Sequence, residues 1–232
     1  SSTSRGLGDV YKRQMNAACP SIAANRLQQR ATRHIFFVAG LGMASWAPLI
    51  PFVKTHLGID EGTLGLLLFC IAAGSMLVMP LAGRAIARFG CKRLILSCAA
   101  IFCLVLPLMM LAGSVWEMAA VLLVFGAVNG LLDVSMNAQA VIVERESGQA
   151  RMSGFHGFYS IGSVAGAGGV TLLLWAGLTP LQAIGLIVLL IALFTLAARG
   201  HLLARRVAES GESGGTLQAL AHPGVLFIAV LC

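Results

Sequence analysis

Apolar positions along the chain gather into six long runs, at about His34–Val53, Thr63–Ala82, Leu94–Ala112, Met118–Ala138, Met152–Leu174 and Leu181–Ala198. Each holds about 20 residues, and at about 1.5 Å per residue that is enough to cross a hydrocarbon layer of about 30 Å. None alternates apolar with polar over segments of about ten residues, as barrel strands do. The pattern predicts an all-α membrane protein with six transmembrane helices over residues 34–198. A further apolar run opens at His222-Pro223-Gly224 and reaches only Cys232, too short to span. Residues 222–232 therefore read as the start of a truncated seventh helix. The first run is too long for the core of a cleavable signal peptide, and five more follow it.

Charge falls between the runs. Arg26, Arg30 and Arg33 precede the first; Arg84, Arg88, Lys92 and Arg93 lie between the second and third; Arg145 and Arg151 lie between the fourth and fifth; Arg199, Arg205 and Arg206 follow the sixth. The alternate loops contain only Lys54 among Lys and Arg. An excess of Lys and Arg marks cytoplasmic loops, so residues 15–33 and the segment after the sixth run are predicted to be cytoplasmic. The net charge of +7 does not gather on one soluble face, so it reports membrane orientation rather than nucleic-acid binding. With 58% hydrophobic and 11% charged residues, the chain is far from the roughly 25% charged of soluble domains. The six cysteines include Cys70, Cys98 and Cys103 inside apolar runs, with no CxxC pair. They read as small apolar residues, and no metal site or cofactor is expected. Ser1–Gln14 has no apolar core and precedes a plausible start at Met15, so it reads as adapter sequence. Residues 199–221 contain a polar, glycine-rich stretch, Ala208–Gly215, and read as a flexible cytoplasmic linker.

Within this apolar frame one residue stands apart. Asp133 is the only Asp, Glu, Lys, Arg or His in Val121–Val143. A carboxylate near the centre of a spanning helix costs about 2.5–3.5 kcal/mol on insertion scales, so such residues serve proton relay, ion coupling or substrate binding. Asn129, Asp133 and Asn137 recur every four residues and form one helical stripe. Gly126 and Gly130 beside it give the GxxxG spacing that lets helices approach closely. The stripe reads either as a cavity-facing carboxylate with two positioning amides or as an interhelical hydrogen-bond cluster. The fifth run opens with Ser153, His156, Ser160 and Ser163 on one stripe and Tyr159 on its flank. His156 titrates near neutrality when unperturbed and is a candidate to share a proton with Asp133. Gly157, Gly162, Gly166, Gly168 and Gly169 make this helix thin, which close packing explains. The first run carries Pro48 and Pro51, which invite a kink. Ser45 and Trp46 before them are candidates to face a cavity, with Trp46 able to stack on a sugar ring or simply to pack. No catalytic constellation is visible. Ser153 and His156 lack a third orienting group, and neither an HExxH nor a GxxxxGK[ST] motif occurs.

The segment Gly83-Arg-Ala-Ile-Ala-Arg-Phe-Gly-Cys-Lys-Arg93 resembles the helix 2–3 loop motif of the major facilitator superfamily. That motif runs Gly, three residues, Asp, Arg, any residue, Gly, then basic residues. Gly83, Arg88, Gly90, Lys92 and Arg93 match, while Ala87 stands in the Asp position, so the charge network of that loop must be altered. The resemblance covers roughly residues 33–232. Asp133 with Asn137, followed by His156-Gly-Phe-Tyr-Ser-Ile-Gly162, is similar to the fucose-permease-like branch of bacterial inner-membrane permeases. The resemblance implies the six-helix N-terminal half of a twelve-helix transporter, built of two three-helix inverted repeats. It implies a proton-coupling role for Asp133 and places His156 and Tyr159 near the substrate. That branch also has an acidic residue on helix 1, and none is found there in this chain.

These readings converge on a secondary transporter in the bacterial inner membrane. It would move a small polar solute, such as a sugar, with protons by alternating access, and its partners would be solute, proton, bilayer and the missing C-terminal half. Proton-coupling residues would be Asp133 and His156; substrate-binding residues would be Asn129, Asn137, Tyr159 and Trp46. The alternatives are a proton-antiport exporter of drugs or metabolites and, in other classes, a membrane-embedded enzyme or a channel.

Overall fold

The computed structural model describes residues 22–203. The segments read above as an adapter at 1–14, as most of the linker and as the start of a seventh helix at 222–232 lie outside them. The described chain is helical, with short turns. Helix α1 spans Ile22–Ser45; a 3₁₀ turn at Ala47–Leu49 leads into α2, Ile50–Leu57. Then come α3, Glu61–Phe89; α4, Cys91–Leu111; α5, Val115–Ser147; α6, Met152–Trp175; and α7, Pro180–Ala198. Counting α1 with α2 as one span, six helices are long and apolar enough to cross a membrane.

Most helices outrun their apolar runs. The first begins about twelve residues before His34, and the fourth continues past Ala138 to Ser147. Hydropathy registers only the part in lipid, whereas a helix propagates through any residues that keep its backbone bonds. The polar overhangs meet one another: Asn25 donates from Nδ2 to the Glu146 carbonyl at 3.2 Å. The first span breaks where the sequence places Pro48 and Pro51, which remove two backbone donors. The starts of α3, α5 and α7 are capped by Asp60, Ser114 and Thr179. Asp60 lies between spans and is fully exposed; the Thr63 backbone N–H bonded to it holds its carboxyl below the usual range.

The segment read as a loop, Gly83–Arg93, is almost entirely helical. Gly83 lies inside α3 with open space around it, and the whole connection to α4 is Gly90. Gly90 takes φ of 79°, a conformation that favours glycine.

Packing follows an exchanged pattern: α1 lies along α6, and α5 lies along α3, while α4 packs on α5 and α7 packs on α1. That is the arrangement of two three-helix repeats in which each central helix pairs with the second helix of the other repeat. Both long crossings depend on glycine. A methyl group on Gly126 would collide with the Ile71 carbonyl, and one on Gly74 with the Leu123 carbonyl. In the other crossing Gly40 meets the Tyr159 carbonyl and Gly162 the Phe37 carbonyl. Aromatic pairs fill the space beside them, Phe36 on Phe155 at 5.6 Å and Phe102 on Phe125 at 5.1 Å between centroids. Close packing thus accounts for Gly162 and Gly166, but Gly157 and Gly168 face open space. Trp116 and Trp175, 82% and 87% exposed, stand at the same end of the bundle, as the aromatic anchors of a membrane interface do.

Candidate functional site

Asp133 lies near the middle of α5 and is half-buried, as are Asn129 and Asn137. Asn137 donates from Nδ2 to Asp133 Oδ1 at 3.2 Å and to the Asp133 backbone carbonyl at 2.9 Å. One amide of the predicted stripe therefore steadies the carboxylate from its own helix. Asn129, one turn to the other side, has no side-chain partner among the described residues.

The first turns of α6 carry the other two candidate groups. His156 is exposed and meets Phe36 edge-on at 5.3 Å; Tyr159, one turn on, is half-buried. Asp133 lies within charge–charge range of both. The three titratable groups that the sequence singles out on two helices thus share one region. The hydroxyls of Ser160 and Ser163 turn back on their own helix, donating to the carbonyls of His156 at 3.2 Å and Tyr159 at 3.1 Å. Their protons are spent on backbone, a common arrangement for Ser in membrane helices.

Trp46 does not join this group. It is 4% exposed within the core at the end of α1, so its ring offers no face to a solute in this conformation. Ser45 is likewise buried and donates to the Gly42 carbonyl at 3.0 Å. Among the described residues no three His, Cys, Asp or Glu side chains converge to hold a metal. A cleft of about 270 Å³ exists elsewhere, where α2, α4, α5 and α7 meet, lined by Phe52, His56, Met109, Met118 and Thr179. Met118 lies about four turns along α5 from Asp133, so the cleft is a separate feature.

Three polar side chains escape a hydropathy reading, two of them near the basic end and one in mid-span. Gln139, 1% exposed, donates to Thr32 Oγ1 at 3.1 Å and accepts from the Leu203 backbone N–H at 3.4 Å, joining α5 to α1 and to the turn after α7. Glu144 accepts from the backbone N–H groups of Arg151 and Met152 at 2.5 and 2.6 Å, capping α6 from the end of α5. Ser75 Oγ donates to the Gly126 carbonyl at 2.7 Å in the α3–α5 crossing. The signal for Gln139 is an amide inside an apolar run. Glu144 looks like one of several boundary charges until the helix ends are placed.

Residues 35–232 match the family model described as Major Facilitator Superfamily. The chain belongs to the major facilitator superfamily. An uncharacterized MFS-type transporter of Yersinia pestis is 52% identical over 206 residues, covering 88% of this chain and 53% of that protein. The membrane protein MosC of Rhizobium meliloti is 40% identical over 132 residues, 56% of this chain and 32% of its own. An uncharacterized transporter of Sinorhizobium fredii is 31% identical over 134 residues, 58% and 36% of the two chains. The chain thus spans from about a third to about half the length of these relatives. Membership in the major facilitator superfamily makes it a multi-pass membrane protein of a transporter family.

Proposed function

We propose that this chain is the six-helix N-terminal half of a proton-coupled secondary transporter for a small polar solute. The observation that carries the reading is Asp133: a carboxylate in mid-span, steadied by Asn137, with His156 and Tyr159 within charge range. A charged carboxylate is costly in a closed, dry cavity. Taking up a proton removes that cost. Asn129 and Asn137 then offer hydrogen bonds to a polar solute, and Tyr159 lines the approach. Rocking of this half against a second one exposes the site to each side in turn. Burial of Trp46 gives it a structural place, supporting the broken end of the first span. The excess of Lys and Arg at that end supports a cytoplasmic N-terminus and a cytoplasmic end of α7, with the bundle in a bacterial inner membrane. The reading is of a transporter rather than an enzyme, because the polar groups of the site form a proton-and-solute constellation without a nucleophile oriented by a base.

The test is uptake of a solute panel with a pH jump, in cells making the full-length protein with Asp133→Asn. Proton-driven uptake should fall to the level of cells lacking the protein, while solute counterflow without a gradient persists. Wild-type coupling in that variant would refute the role of Asp133.

A further inference from the structure

We infer that the cleft where α2, α4, α5 and α7 meet binds a soft monovalent metal ion of the class of Cu(I) and Ag(I), through thioether sulfurs and one imidazole. The cleft, of about 270 Å³, is lined by Met109 and Met110 from the end of α4, Met118 from the start of α5 and His56 from α2. Three separate elements bring these side chains together, so no spacing along the chain announces them. Helices α3 and α6 take no part in the lining.

Methionine is ordinarily a filler of irregular gaps in a core. Here three of the chain's nine methionines surround a gap that they leave open. Met109 and Met118, each 1% exposed, form its floor. Met110, half-buried, and His56, exposed, stand nearer the mouth. The His56 ring has no hydrogen bond, ion pair or ring contact among the described residues, so its nitrogens are free to take a ligand.

The donor set decides which ion. No Asp, Glu or Cys lines the cleft. Glu117, beside Met118 in the chain, accepts instead from the Gly113 N–H at 2.8 Å, and Glu61 is paired with Lys54. The Thr179 hydroxyl is taken up in capping α7. Magnesium and calcium ions, which need several oxygen ligands, find none free here. The cost of taking an ion out of water rises with the square of its charge, so a site without an anion favours a single positive charge. Thioether and imidazole are the neutral donors that suit Cu(I).

The experiment titrates silver nitrate, in chloride-free buffer, into purified full-length protein with isotope-labelled methionine methyl groups. Methyl NMR reads the thioethers alone, so silver taken up by cysteine does not obscure the result. The Met109, Met110 and Met118 signals, assigned through Met→Leu variants, should shift together and saturate. Those of Met76 and Met79, exposed on α3, should stay in place. Met118→Leu nearly conserves volume and His56→Asn alters an exposed residue, so both should keep the wild-type elution profile. Each should weaken silver binding by at least the roughly tenfold that loss of a mere supporting group costs a metal site. Unchanged affinity in either variant would overturn the site. Equal response of Met76 and Met79 would overturn it too, since silver would then be taking any accessible thioether. Displacement of silver from these methyls by zinc(II) would overturn the choice of a soft monovalent ion. None of these outcomes bears on Asp133, which lies about four turns away along α5.

Discussion

Helices α1 and α5 hold equivalent places at the centre of the two repeats, yet they do different things. The glycine crossings set their register: Gly40 of α1 matches Gly126 of α5, and Phe37 matches Leu123, each carbonyl meeting a glycine of the partner helix. Continuing that register puts Ala47 in the place of Asp133. There α5 is an unbroken helix of 33 residues with a carboxylate, whereas the first span has a 3₁₀ turn and an alanine. The repeat has copied the backbone contact and not the chemistry. Packing between two helices is satisfied by small residues wherever the chains cross, while a charge in mid-span is costly and rare. The missing acidic residue of the first span is therefore a property of one helix, not a sign that the two repeats pack differently.

The comparison can be broken most forcefully at the crossings. Gly126→Leu and Gly162→Leu, one in each crossing, should both prevent recovery of folded protein, because each side chain meets a partner backbone that cannot move aside. Size-exclusion profiles of the two variants check this, and a well-folded Gly162→Leu beside a lost Gly126→Leu would end the equivalence. Next in size is the functional asymmetry. Asp133→Asn should abolish proton-driven uptake with the elution profile intact, whereas Trp46→Phe should leave uptake near wild type.

Trp46→Ala tests the structural side of the first span. Emptying so large a buried site should cost about 3 kcal/mol or more, seen as a lower melting midpoint in detergent, with the apparent KM of the folded fraction unchanged. A raised KM at unchanged stability would return Trp46 to the solute site. The smallest effect is expected where the central helices are tied by side chains. Gln139→Ala removes the link to Thr32 and leaves the Leu203 N–H unpaired, so a loss of about 1 kcal/mol is expected. The same melting experiment measures it.

Much of this was legible beforehand, and the reasons are local. Six spans follow from the lengths of the apolar runs, because lipid tolerates no unpaired backbone and only a helix satisfies its own. The stripe of Asn129, Asp133 and Asn137 follows from helical periodicity, and the bond from Asn137 to Asp133 is a contact one turn long. The break near Pro48 follows from two missing donors. What misled was equally local. Gly83–Arg93 is rich in glycine and charge and reads as a loop, but charged residues are good helix formers and the turn needs only Gly90. Trp46 reads as a candidate stacking surface because a sequence does not reveal which face of a helix is covered.

The sequence by itself determined the solvent of this protein, its secondary structure and the one expensive charge in its interior, all of them matters of composition and short-range geometry. Only the tertiary structure decided that Asp133 would come within charge range of His156 and Tyr159, that Trp46 would be buried, that Gln139 would fasten one repeat to the other, and that Glu144 would cap α6 from the end of α5. Those outcomes depend on which helices cross. The crossings are set by pairs of glycines lying 52 residues apart in the chain at Gly74 and Gly126 and farther still at Gly40 and Gly162. No periodicity within a single helix can report a contact made over that distance.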